Sequence, residues 1–305
     1  MISLVRLKKD VQFNTELTKV VDVLKGIAAA RFHVLERQLA VFEQYFEAVQ
    51  QFLNLVQLDR VAHPFAQSRT PVVGVVMVTS SAGFLGGLNS QVLTAGLRER
   101  SASGGALTVI GDRGASALRD AGIACTAFPG IEDSARLSLA LEVRDHLVRQ
   151  MLSGMCGRLV VVYPKPISFA LQRVTTEVLL PCTEWAVAPP APAPECLWES
   201  SVEDAMEYVV SQWLGYRLDV IFAWSRLSEL AARAVHLEGS YQELLRRGKQ
   251  MRLQYFRARH EVIDRSMREI FAAQLLSKTR ATPLREIALL GEVEDEASNE
   301  SASAR

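Results

Sequence analysis

Cysteine is scarce in this sequence. Only Cys125, Cys156, Cys182 and Cys196 occur, with no CxxC spacing and no regular framework. That excludes a disulfide scaffold and fits reduced thiols in a cytoplasmic compartment. A surplus of charge is also missing, since 34 Lys and Arg balance 34 Asp and Glu. Bulk nucleic-acid binding draws on a basic excess, so nucleic acid is not an expected partner. The histidines are scattered, at 33, 63, 146, 236 and 260. His260-Glu261 starts the zinc-helix pattern H-E-x-x-H, but Asp264 stands where the second His is required, so no metal is expected. G-x-x-x-x-G-K-[ST], G-x-G-x-x-G and G-x-S-x-G are all absent, which leaves no phosphate cradle and no nucleophile elbow. The expectation is therefore no cofactor and no catalytic residue. A charge-free run extends from Thr70 to Leu97, but Thr79, Ser80, Ser81, Asn89, Ser90, Gln91 and five glycines interrupt it. It reads as a buried strand, a turn and a helix start rather than a membrane span. The N-terminal MISLVRLKKDVQ has charges where a signal peptide needs an apolar core.

What is present is long-range helical pattern at both ends. Residues 4–58 read as one helix, with a stripe at Leu17, Val20, Leu24, Ile27 and Val34. The stripe shifts to Leu35, Leu39, Phe42, Phe46, Val49, Leu53 and Val56, in the alternating steps of a coiled coil. Such a helix is about 80 Å long, more than a globular core requires. A second run starts near Val202 and continues to about Leu276. Its stripe is Leu237, Tyr241, Leu244, Gly248, Met251, Tyr255, Ala258 and Val262, then Ile263, Met267, Ile270 and Gln274. Gly239 and Gly248 each weaken it by ~1 kcal/mol relative to Ala.

Between the helices the pattern changes. Strands are expected at 71–79, 106–110, 159–163 and 173–180, and helices at 90–101, 112–121 and 133–153. This alternation implies an α/β domain with a largely parallel sheet. The proline-rich run at 189–195 reads as a linker or extended edge. The expected organisation is a coiled-coil helix over 1–60, an α/β domain over 70–195, a second coiled-coil helix over 202–278 and an acidic tail over 283–305. The domain lets the chain double back, so the two helices are expected to pair antiparallel. Thr282-Pro283 is expected to stop the second helix, and the acidic, small-residue segment from 291 to be disordered and dispensable.

Several segments, taken in order, resemble the gamma subunit of rotary ATP synthases. Lys25-Gly26-Ile27-Ala28-Ala29-Ala30-Arg31 is similar to the family's Lys-Met-Val-Ala-Ala-Ala-Lys. Thr79-Ser80-Ser81-Ala82-Gly83-Phe84-Leu85-Gly86-Gly87-Leu88-Asn89 resembles its Thr-Ser-Asp-Arg-Gly-Leu-Cys-Gly-Gly-Leu-Asn loop. Ile110-Gly111-Asp112-Arg113-Gly114, Glu177-Val178-Leu179-Leu180-Pro181, Ser228-Glu229-Leu230-Ala231-Ala232-Arg233 and Leu253-Gln254-Tyr255-Phe256-Arg257-Ala258-Arg259 each resemble a family segment, and Ile263, Glu269 and Ile270 follow in register. The match covers about residues 5–277. Departures stand at Ser81, Ala82, Leu85, Phe256 and His260, which marks a divergent member.

The resemblance implies a non-catalytic rotor shaft that couples ion flow through a membrane ring to conformational changes in catalytic subunits. Its implied partners are the alpha and beta subunits of the catalytic head, an epsilon-type stalk subunit and the membrane c-ring. The implied location is peripheral, on the cytoplasmic face of a bacterial inner membrane. Between Leu244 and Ile270 eight basic residues face three acidic ones. That surplus suits acidic partner loops, or else a solvated face. The candidate partner contacts are Lys25, Arg31, Arg252, Arg257, Arg259, Arg265 and Glu269. Gly83, Gly86 and Gly87 are expected to make a tight strand-to-helix turn, with Asn89 capping the helix that follows. Two other readings stay open: a non-enzymatic coiled-coil scaffold with an α/β spacer, and an enzyme with a nucleotide-binding domain and helical arms.

Overall fold

A computed structural model describes residues 4–38, 49, 52–53, 61–100, 104–184 and 201–302, with 277–302 as helical backbone. Two compact units are present, Met1–Lys19 with Gln242–Arg305, and Val20–Tyr241.

Within Val20–Tyr241 lies a five-stranded sheet, β1 (Val73–Val78), β2 (Leu107–Ile110), β3 (Thr126–Phe128), β4 (Arg158–Pro166) and β5 (Gln172–Leu180). The spatial order is β3-β2-β1-β4-β5. All neighbours are parallel except β4 and β5. The connecting helices are α2 (Leu88–Glu99), α3 (Asp112–Asp120) and α4 (Arg136–Leu152). Strand alternation sorts the core into two layers. Val75 and Met77 pack with Val92 of α2 and with Ala115 and Leu118 of α3. Val76 and Val78 pack on the opposite face, with Leu139, Val143 and Leu147 of α4. The same layer takes Met206, Val210, Leu214, Leu218, Ile221 and Phe222 from α5 (Val202–Ala302), so the sheet is covered on both faces. Val49 and Leu53 are buried in this layer too. β3 escapes sequence reading because Thr126-Ala127-Phe128 is a three-residue edge strand with no apolar alternation. The proline-rich run at 189–195 and Cys196 lie outside the described residues, as does most of 39–60.

The N-terminal helix α1 (Leu4–Gln38) runs antiparallel to α5. In the Val20–Tyr241 unit, Phe32 and Leu35 pack on Leu227, Leu230 and Ala231, while the earlier Lys25 reaches the later Glu238 at 3.0 Å. In the other unit, the Asn14 amide donates to the Leu244 carbonyl at 3.1 Å. The first expected stripe on α1 is the wrong face, whereas Leu35, Val49 and Leu53 of the second are buried as read. Leu17, Val20, Leu24, Ile27 and Val34 are all exposed, Val34 at 61%. The inward positions are Leu7, Val11, Asn14, Thr18, Val21, Lys25, Ala28, Phe32 and Leu35, stepping by four and three. Three of these are polar, so a hydrophobicity count selects the stripe one residue earlier, where Arg31 is the one polar position between Leu17 and Val34. On α5, the positions Leu237 to Ala258 are buried or half-buried as read, but Val262 is 50% exposed.

The C-terminal expectation also changes. α5 is one helix to Ala302, so it passes Pro283 and includes the acidic segment from 291. An internal Pro costs about 3 kcal/mol, but the flanking Leu, Arg, Glu and Ala residues are strong helix formers.

Glycine within α1 and α5 separates into two cases. A Cβ at Gly26 or Gly239 meets nothing within 4 Å, whereas one at Gly248 lies 2.7 Å from the Asn14 amide nitrogen. Gly26→Ala and Gly239→Ala should each stabilise the chain by about 1 kcal/mol in urea titrations. Gly248→Ala should give no such gain, because it displaces the Asn14–Leu244 hydrogen bond.

Candidate functional site

In doubly wound sheets, the crevice at the carboxyl ends of two strands whose connections leave in opposite directions is the usual ligand position. Here that point lies between β1 and β4. It is filled by the chain itself. The Ser228 hydroxyl of α5 donates to the Pro164 carbonyl near the end of β4, at 3.0 Å. The buried Glu229 carboxylate is hydrogen-bonded to the Ser80 side chain, just past β1. Ala232 packs on Leu85 and Leu88, and Arg233 Nε donates to the Gly83 carbonyl at 3.4 Å. One turn and a half of α5 thus plugs the crevice, and each polar residue of Ser228–Arg233 reaches a different part of its rim.

The loop after β1 is shaped accordingly. Gly86 takes φ +58°, and Phe84 takes φ +63° with its ring exposed. Gly83 and Gly87 have ordinary φ, so of the three expected turn glycines only Gly86 requires the left-handed region. The N-cap of α2 is Gly87, without a side-chain cap. Asn89 is therefore not the cap. It lies inside the first turn, and its Oδ1 accepts the Ser80 N–H at 3.1 Å, which ties the helix back to β1. Two departures from the family pattern find their place. The Ser81 hydroxyl accepts the Asp112 N–H at the start of α3, at 3.1 Å. Leu85 is buried against α5.

Charge is concentrated on the same stretch of α5. Arg136 of α4 forks onto the buried Asp219 at 2.8 and 3.3 Å. Arg217 pairs with Glu177 at 2.5 Å, and Tyr163 donates to the same carboxylate at 3.0 Å. Arg226 bridges Asp133 at 3.2 Å and Glu229 at 2.9 Å. Burial pushes the Glu229 carboxyl above its usual range, against the pull of Arg226, Ser80 and Arg233. Burial also lowers Arg233, with Glu229 opposing and Arg226 and Arg31 reinforcing. Among the described residues no group of His, Cys, Asp and Glu could hold a metal ion. No helix among them is long and apolar enough to cross a membrane.

The candidate partner contacts are dispersed. Lys25 is turned into the chain, between Asp22 and Glu238 at 2.9 and 3.0 Å and over the Tyr241 ring at 4.3 Å. Arg31 is exposed on α1. Arg252 lines a shallow groove with Asn14, Thr18 and Gly248. Arg257 and Arg259 are exposed, and Arg265 and Glu269 line a surface depression with Glu261 and Arg268. The ionic residues at 133, 136, 217, 219 and 226 have no role in the sequence reading, and Glu177 and Glu229 appear there only inside resembling segments. Apart from Arg226 and Glu229, which pair three residues apart on one helix, their partners are remote in sequence, so no spacing rule pairs them.

Glu229→Gln removes a carboxyl whose folded value is raised. Such a group contributes stability below its unfolded pKa, near 4.5, and loses it as pH rises through the raised folded value. The stability of the parent relative to Glu229→Gln should therefore fall as pH rises across that window, as read from paired urea titrations.

Comparisons with known proteins meet this architecture. The family model described as ATP synthase matches residues 3–274. The ATP synthase gamma chain of Chlorobaculum tepidum is 27% identical over 277 residues, 87% of this chain and 94% of that one. The gamma chain of Neisseria gonorrhoeae is 24% identical, covering 83% and 92%. Among solved structures, the rotor of Euglena gracilis mitochondrial ATP synthase shares the fold with TM-score 0.61 at 16% identity, over 85% of this chain and 98% of that chain. A chain from the central stalk and c-ring of Tetrahymena thermophila mitochondrial ATP synthase gives TM-score 0.55 at 18% identity, covering 72% and 99%. With the family model spanning nearly its whole length, the chain belongs to the ATP synthase family, among relatives that are gamma chains.

Proposed function

We propose that this chain is the central rotor shaft of a rotary ATP synthase. Ion flow turns a membrane c-ring, the ring turns the α/β domain, and the helices carry the rotation into a head of alpha and beta subunits. Each rotor angle then contacts the catalytic subunits unequally and shifts their nucleotide affinities, a coupling free energy rather than chemistry in this chain. The chain is non-catalytic, and an epsilon-type stalk subunit is its further partner. It is held peripherally at the cytoplasmic face of a bacterial inner membrane by those partners.

The observation that carries this reading is the exposed apolar surface of α5 past Ala258. Ile263, Met267, Ile270, Phe271, Leu275 and Leu276 are each between 46% and 69% exposed. A helix with such side chains on several sides requires a surrounding apolar surface, as a shaft inside a head would have. Arg31, Arg252, Arg257, Arg259, Arg265 and Glu269 are the charged contacts of that shaft. Lys25 acts indirectly, by fixing α1 on α5. The filled crevice between β1 and β4 counts against the nucleotide-binding enzyme, and the ordered family match against the generic scaffold.

The test is rotation. With the purified head fixed to a surface and a bead on the α/β domain, ATP should drive rotation in one sense, and a stationary bead would overturn the proposal. Replacing Arg252, Arg257 and Arg259 together by Ala should weaken ATP-driven ion pumping. Single changes should do little, because exposed pairs are worth only ~0–1 kcal/mol each. Unchanged pumping in the triple variant would leave those residues as a solvated face. The segment beyond Gly291 is proposed to be dispensable: a chain ending there should assemble and pump normally, and failure of either would assign it a function.

A further inference from the structure

Resting on the rotor reading, the geometry points to a torsional lock between α5 and the α/β domain, built from polar links on opposite sides of the helix. Six links leave the stretch Arg217–Arg233 of α5 for the α/β domain: Arg217 to Glu177, Ser228 to the Pro164 carbonyl, Asp219 to Arg136, Arg226 to Asp133, Glu229 to the Ser80 side chain, and Arg233 to the Gly83 carbonyl. Their positions around the helix are not random. At about 100° per residue, with Arg217 at zero, Ser228 falls near ~20°, Glu229 near ~120°, Arg233 near ~160°, Arg226 near ~180° and Asp219 near ~200°. Two links therefore grip one side, toward β4 and β5. Four grip the other half of the helix, toward α4, the segment before it and the loop after β1.

That arrangement adds direction to apolar burial. Met206, Val210, Leu214, Leu218, Ile221 and Phe222 hold α5 in the domain by close packing, and the polar links fix its angle about the helix axis more sharply. Hydrogen bonds, including those within the Arg–carboxylate pairs, weaken steeply with distance and angle. Anchors on one side alone leave the helix free to roll over the opposing surface. Anchors on both sides form a couple, so rotation in either sense stretches links at both. Two of the ion pairs are sheltered, with Arg136 and Asp219 17% and 5% exposed and Arg217 and Glu177 17% and 23% exposed, while Asp133 opposite Arg226 is 52% exposed and its pair is the weakest of the three. Glu177, Asp219 and Ser228 are thus positioning residues for torque, touching neither nucleotide nor ion.

The test uses the assembled complex with a bead on the α/β domain and the head fixed, read as the angular variance of the bead during nucleotide-free pauses. Glu177→Ala with Ser228→Ala empties one side. Glu177→Ala with Asp219→Ala also removes two links, but one from each side. The lock predicts that the first pair raises the variance at least about twofold more than the second, because only it leaves a one-sided grip. A purely structural role would instead make the variance follow lost stability, ranked by thermal unfolding of the same complexes, whichever side the links came from. Equal variances in the two double variants, or variances ordered by stability alone, would overturn the lock. A bead that never rotates with ATP in the parent complex would instead remove the rotor reading beneath it.

Discussion

The structure depends on one helix lying in the crevice of a sheet. A doubly wound sheet exposes strand ends and loop backbone at the point between β1 and β4, and those groups need partners. In this chain Ser228 takes the Pro164 carbonyl and Glu229 takes Ser80, so α5 satisfies the rim that a ligand satisfies in other folds. The consequences spread outward. The Gly83–Leu88 loop is shaped to the helix, through Arg233 on the Gly83 carbonyl and Ala232 against Leu85 and Leu88. A domain of nucleotide-binding topology becomes a collar around a helix.

The seam of α1 and α5 follows a different rule. Its inward positions include Asn14 and Lys25, which a maximally stable coiled coil would replace with apolar residues. Each is satisfied in place, Asn14 by the Leu244 carbonyl and Lys25 by Asp22 and Glu238. A buried polar residue that finds its partner in only one alignment trades stability for register. Gly248 belongs to the same device, since it makes room for the Asn14 amide. Meanwhile Val20, Leu24, Ile27 and Val34 stay outside, a second apolar stripe that the chain does not cover.

Much of this was legible in the sequence. Pro and Gly bracket apolar runs at β1, β2 and β4, and the long-period helices at both ends are unmistakable by length. The face of α1 over Leu17–Val34 was not legible, because the seam carries Thr18 and Lys25 while its neighbour carries only Arg31 among apolar residues. The three-residue β3 carries no pattern at all. At the site, Ser228, Glu229 and Arg233 stood out as a segment resembling a family, yet their work depends on Pro164, Ser80 and Gly83, up to 150 residues away. Such pairings come from topology, not spacing. Asn89 is not the cap because the helix starts at Leu88 behind Gly87, which places Asn89 inside the first turn, where its Oδ1 accepts the Ser80 N–H.

Amide hydrogen exchange on the full chain tests the collar most directly. If α5 fills the crevice as described, amides between Leu218 and Arg233 should be among the slowest in the molecule, tracking global unfolding. Amides between Arg259 and Leu276, whose side chains are exposed, should exchange far faster in the free chain and slow on assembly with the head. Exchange at 218–233 as fast as at 259–276 would contradict the account, because a helix that opens that freely cannot be the element on which the domain is built.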